Sequence, residues 1–318
     1  MTQTLLAAAE LWCPTTDGGP FALDQGVYGG CEALRTLAER PTSEPDVTLV
    51  AEVFDQGRPR VVTDLNDLGF MVAEAAASDG VTAALLLPSF VQGEVDSVLV
   101  FYFRGGNGFR GAVELWAGTK GRFELSLDQS YYAGLDRFAR ISRYVNFPKG
   151  SGLPGQCWDL GMPRIVPDVK SAKGFLRSSG AESDGLSVGL GVPVMCRTEL
   201  RSVLLLLSSS ATPVARVHEV WIDNPAPEGP GKLTRSQGVY GGLDALAAAS
   251  GNQTFSTSGE GLVERAWSSA RPVMAEGEAL AAAGAERLAA IREAQLGWAV
   301  ACPVVVVDQV RAVVLLMG

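Results

Sequence analysis

The sequence predicts an α+β protein made of three copies of one unit, each an antiparallel sheet with helices packed on it. Three observations lead there. First, Glu10-Leu-Trp12 returns as Glu114-Leu-Trp116 and Glu219-Val-Trp221, with the tryptophans 104 and then 105 residues apart (12 to 116, 116 to 221). Second, further landmarks follow each tryptophan in the same order. Gln25-Gly-Val-Tyr28-Gly-Gly30 matches Gln129-Ser-Tyr-Tyr132-Ala-Gly134 and Gln237-Gly-Val-Tyr240-Gly-Gly242. Phe54…Pro59 matches Trp158…Pro163 and Trp267…Pro272, and Leu87-Pro88 matches Val192-Pro193 and Cys302-Pro303. Third, within a copy the apolar period goes from two residues, to three or four, and back to two.

The middle copy shows the elements best. Residues 113–117 alternate as a strand does, 118–121 form a turn, and 123–127 alternate again, which makes a hairpin. Leu135, Phe138, Ile141 and Val145 mark a helical stripe. Gly152-Leu-Pro-Gly155 turns tightly into a short helix carrying Trp158, with Gly161 as its C-cap and Pro163 preventing continuation. Residues 170–184 are a polar connection with a short helix around 174–178, and 186–195 with 200–208 close the sheet. In the first copy an Ala-rich helix over 66–79 takes the place of that connection. The domains are then 1–106 and 212–318, both divergent, around a regular 107–211. A serial string of beads and a compact trimer-like packing are both compatible with the short junctions.

Bulk composition excludes several classes. Apolar residues are 47% and charged residues 19% of 318, which suits packed units. A net charge of −9 argues against a nucleic-acid surface and, more weakly, against anionic membranes. No apolar run reaches the length of a membrane span, and the N-terminal stretch lacks the basic start of a secretory signal. Five scattered cysteines without a C-x-x-C pair fit a reducing cytoplasm, with no disulfide expected.

The run 150–169, GSGLPGQCWDLGMPRIVPDV, followed by Phe175-Leu-Arg177, Gly185-Leu186 and Gly189-Leu-Gly-Val-Pro-Val194, resembles a GAF domain. GAF domains are small-molecule-sensing modules of many bacterial signalling proteins, and the resemblance covers roughly 112–208. It implies a cytoplasmic bacterial sensor or interaction protein of three tandem GAF-like domains. Such a protein binds a small molecule or a signalling partner, needs no cofactor, and touches neither nucleic acid nor membrane; a homodimer stays open. The family's long signal-relaying helix is not expected between these units.

The ligand is expected in the middle unit, between the sheet and the 170–184 connection, with Trp158, Phe175, Arg177, Ser179 and Ser183 as contacts. Trp12, Trp116 and Trp221 are read as core residues, and Arg137, Arg140 and Arg143 as a solvated helix face. Gly152-Leu-Pro-Gly155 is not a phosphate cradle, because no Gly-Lys-Ser/Thr opens the helix. With His218 as the single histidine, no metal site and no catalytic triad is expected. The function expected is therefore non-catalytic sensing. The alternatives are an array that is purely structural, and a redox enzyme using Cys157 or Cys196 that resembles free-methionine-sulfoxide reductase.

Overall fold

The computed structural model describes residues 3–16, 19–40, 47–106, 108–118, 121–224, 231–281 and 284–318. They form three antiparallel sheets of one design. The middle sheet runs Asn146–Pro148, Glu124–Ala133, Gly111–Gly118, Glu199–Ser209, Leu186–Cys196, Arg164–Val166. The third runs Thr254–Ser256, Lys232–Val239, Val217–Asn224, Gln309–Met317, Trp298–Val306, Val273–Glu276. The first has, among the described residues, the same order without the outermost strand: Phe21–Val27, Leu6–Pro14, Glu94–Arg104, Val81–Val91, Arg60–Val62.

The repeated residues have repeated structural reasons. Opposite each landmark tryptophan the second strand carries one extra residue (Asp24, Asp128 and Ser236), a bulge at the same register in all three sheets. The helices before Pro59, Pro163 and Pro272 are Thr48–Gln56, Gly152–Leu160 and Leu262–Ser269. Each ends on a left-handed residue, Gly57, Gly161 or Ala270. The short helix expected at 174–178 lies instead at Ser178–Ser183. Gly174 has φ +90°, a conformation no helix interior accepts.

One face of each sheet carries its own helices, and the other faces its two sister sheets. Leu11, Leu115 and Val220, with Leu85, Leu190 and Val300 two strands away, meet in a single core shared by all three units. The arrangement is a compact ring. The glutamine beside each bulge closes it: Gln25 Oε1 accepts from Met274 N at 2.9 Å, Gln129 Oε1 from Val61 N at 2.9 Å, and Gln237 Oε1 from Ile165 N at 2.7 Å. Each donor N–H belongs to the second residue after the repeated proline of another unit, so the three bonds form a cycle. Pro88, Pro193 and Pro303 surround a cavity of about 80 Å³ on the shared core. Among the described residues no helix is long and apolar enough to cross a membrane.

Candidate functional site

On the helix-covered face of each sheet lies one buried carboxylate, from Glu10, Glu114 and Glu219. Strand alternation puts it on the same face as the tryptophan two residues on, opposite the ring core. The Trp Nε1–H donates to its Oε2 in every unit, at 3.1, 2.9 and 2.8 Å. The repeated tyrosine donates to Oε1: Tyr28 at 3.1 Å, Tyr132 at 2.7 Å and Tyr240 at 2.6 Å. The Glu-x-Trp and Tyr landmarks are thus one hydrogen-bonded station.

In the second and third units a buried arginine completes it. Arg177 gives Nη1 to Glu114 Oε1 at 2.6 Å and Nη2 to Oε2 at 2.9 Å, a bidentate pair with no exposed side-chain surface. Arg287 repeats this on Glu219, with both bonds 2.8 Å. A serine accepts a further bond from each Nη1, Ser142 Oγ from Arg177 and Ser250 Oγ from Arg287. The Arg177 guanidinium sits 4.5–5.6 Å from the ring centres of Phe138, Trp116, Phe147 and Phe175, a cage suited to a desolvated cation.

The first unit keeps the carboxylate and lacks the cation. Arg177 and Arg287 stand twelve residues before the strand residues that face Leu207 and Met317 (177 to 189, 287 to 299). The same count back from Ala84, which faces Tyr102, reaches Val72. The serine position, seven residues after the turn residues Leu135 and Leu243, falls seven after Cys31 on Ala38. Tyr102 replaces Leu207 and Met317, and its hydroxyl donates to Glu10 Oε2 at 2.9 Å. In the space so vacated lies a cavity of about 400 Å³, with Glu10, Trp12 and Tyr102 on its sheet side. Leu34, Leu37, Ala38, Leu68 and Val72 form the helix side. Phe70 and Met71, 67% and 45% exposed, stand at its edge.

The electrostatics follow the difference. Burial pushes the Glu10 carboxyl above its ordinary value, and the hydrogen bonds from Tyr102, Trp12 and Tyr28 offset only part of that. Burial also pushes Glu219 up, but the Arg287 guanidinium, with the Tyr240 and Trp221 bonds, outweighs it and holds this carboxyl below its ordinary value. One carboxylate is held as an ion by its own chain, and the other is not.

Solved structures of GAF domains match about a third of this chain. One is the GAF domain of A. aeolicus nlh2 in an inactive state, 21% identical over 32% of this chain and 59% of that one, with a TM-score of 0.25. Another is the GAF domain of a phosphoenolpyruvate-protein phosphotransferase from Coxiella burnetii, 21% identical over 31% and 55%, with a TM-score of 0.25. Free methionine-R-sulfoxide reductase from Neisseria meningitidis, in complex with its substrate, matches at 18% over 34% and 56%, with a TM-score of 0.25. The match thus spans less than two thirds of each of these chains. No family model and no curated protein matches the sequence. The units themselves are α+β, each an antiparallel sheet covered by helices.

Of the residues singled out from the sequence, Arg177 is turned fully inward and spends its Nη donors on Glu114 and Ser142. Phe175 is buried beside it, 5.6 Å from ring centre to guanidinium. Trp158 is half-buried on the same core, with Lys149 Nζ 5.6 Å over its ring. Ser179 and Ser183 face solvent, and Ser183 Oγ accepts from Arg137. The structure therefore joins Phe175 and Arg177 and leaves the two serines outside. Trp116 and Trp221 are fully buried, edge-on or tilted against Phe147 and Phe255, whereas Trp12 is part of the cavity wall. Glu10, Tyr102 and Val72 escaped sequence reasoning as site residues. The signal was there in the twelve-residue spacing, but it needs the strand register to be visible.

Proposed function

We propose that the chain is a non-catalytic sensor whose first domain binds a small molecule. The second and third domains act as closed supports whose equivalent sites are occupied by their own arginines. The observation that carries this is the pairing of a retained Glu10 with Val72 and Ala38 in place of the arginine and serine, over an open cavity. A cavity of this size, mostly apolar with a few placed polar groups, suits a small ligand. The reading gives Arg177 an internal role and puts the ligand one unit earlier than the sequence landmarks suggest.

The route to an output is also in the first domain. The helix Glu32–Ala38 supplies Leu34, Leu37 and Ala38 to the cavity wall. Its Arg35 pairs with Glu276 of the third domain at 2.8 Å, and Glu276 also accepts from Tyr28 N. A ligand that shifts this helix would act on the seam between domains one and three, and a cytoplasmic partner protein would read that seam. Three of the thiols fit a non-enzymatic reading: burial pushes Cys157 and Cys302 up to about 12 and Cys31 up to about 11, away from the thiolate that redox chemistry needs.

The test is native mass spectrometry of the intact chain after exposure to a small-molecule extract of cells. The expected result is a small molecule retained by the wild type and not by Val72→Arg, whose guanidinium fills the site. Equal retention by the two proteins, or retention by neither, overturns the reading.

A further inference from the structure

The first domain's sisters show what its carboxylate is built to hold. In two of three copies the same station takes a guanidinium that enters from the helix side and meets both carboxylate oxygens; Arg177 lies in a cage of four aromatic rings, and Arg287 lies over the Trp221 ring. The first copy retains the parts of that station that recognise a cation. Glu10 is buried, and Tyr28 and Trp12 orient its two oxygens as their counterparts do in the sisters. Trp12, Phe21, Phe70 and Tyr102 supply aromatic surface around the cavity. What is missing is the cation, at a position where Val72 leaves room.

We infer that the ligand of the first domain carries a protonated nitrogen, a guanidinium or an ammonium, which seats on Glu10, joined to an apolar body that fills the cavity toward Phe70 and Met71. This rests on the first domain being the binding domain. Burying a lone carboxylate is costly, whereas pairing it with a cation in good geometry recovers much of that cost, so the apo site is poised to gain on binding. Tyr102 makes the unliganded state tolerable by giving Oε2 a neutral donor where Arg177 and Arg287 give Nη2 in the sisters. The groups facing Glu10 are the Tyr28 and Tyr102 phenols and the Trp12 indole. Among the described residues, the one cationic side chain lining the cavity is the exposed Arg40, just past the end of the covering helix. It repels a second positive group at the outer end of a ligand, so the charged head enters first.

Proton linkage gives the inference a signature. Glu10 must be ionised to seat a cation, and its carboxyl is held above the ordinary value when unpaired. Affinity for a cationic ligand therefore rises with pH through that raised pKa and then levels off, while affinity for a neutral ligand does not rise.

Four probes with one body and different heads test this by titration calorimetry on the full chain: 4-phenylbutylguanidinium, 4-phenylbutylammonium, 4-phenylbutanol and 4-phenylbutyrate. The expected order places the two cations at least tenfold tighter than the alcohol and the carboxylate, on the wild type at pH 8. If the guanidinium exceeds the ammonium, bidentate seating as in the sister domains is the mode; the reverse order assigns a single-point ammonium contact. Glu10→Gln is expected to abolish the preference for cations while keeping the alcohol. Should that variant not fold, the pH series on the wild type alone carries the same information. Two results overturn the charge inference and leave the binding domain standing: equal affinity of alcohol and cations, and cation affinity unchanged by pH or by Glu10→Gln. Absence of binding by every probe, or binding that Val72→Arg does not block, overturns the first domain as the site and the inference with it.

Discussion

The first and second domains solve one problem differently. Each buries a glutamate on the helix side of its sheet, held by a tryptophan two residues on and a tyrosine at the end of the next strand or just past it. The second supplies a counter-ion from its own connection, with an aromatic cage around it; the first leaves a cavity and a phenol. Where the pair is internal the station is filled, and where one half is missing a cavity stands in its place. In a protein of repeats, the copy that departs at the centre of a shared network is the one to read for function.

The sharpest way to break this comparison is to make the second domain like the first. Arg177→Ala leaves Glu114 as an unpaired buried charge and empties its cage, and the expected cost is about 3–5 kcal/mol in chemical denaturation. The companion variant Arg177→Ala with Glu114→Gln removes the stranded charge and should recover part of that loss. Were Arg177→Ala to cost under about 1 kcal/mol, the ion pair would not be holding the second domain closed.

A second comparison concerns the ring core. His218 sits where the first two sheets have Ala9 and Val113, since the three face Leu316, Phe101 and Leu206 on the closing strands. Its imidazole is buried with Nδ1 unpartnered among the described residues, and burial pushes its pKa down to about 4 from 6.5. The neutral form is the one the fold favours. The stability His218 contributes is thus present above pH 6.5 and lost as pH falls from there toward 4. At pH 5 the loss is roughly 2 kcal/mol. His218→Val should remove that fall and leave the remaining pH profile, including the opposite trend from Glu10, in place. Identical pH dependence in the two proteins would show that the histidine finds water or a partner in solution.

Much of the fold was legible because it rests on local rules. The bulge-flanking glutamines, the prolines after a left-handed cap and the alternating strands all leave fixed spacings in the chain. Their reasons were less legible: Gln25, Gln129 and Gln237 recur because each holds a neighbouring unit, a contact no single unit displays. Glu10 and Tyr28 stood out as repeats, but that they meet depends on register across a bulge. Arg177 was visible as a charge beside Phe175. That it turns inward depends on Glu114, 63 positions away in sequence and brought close by pairing of the closing strand with the first.

The smallest effect sharpens the comparison at the helix ends. Gly57, Gly161 and Ala270 occupy the same place, before the repeated proline, with φ of 58°, 60° and 57°. A residue with a Cβ in this left-handed region is strained, and glycine is not, although glycine loses more entropy on folding. The balance favours glycine by up to about 1 kcal/mol, so Ala270→Gly should stabilise the third domain by that amount. The reciprocal change isolates the cause. At Gly161 an added Cβ would lie 3.5 Å from a Val306 methyl, an ordinary contact, so Gly161→Ala carries the conformational cost without a clash. The two substitutions should therefore shift stability by similar amounts in opposite directions in thermal unfolding. A gain at 270 without a matching loss at 161 would assign the effect to local packing around Ala270 and not to the backbone.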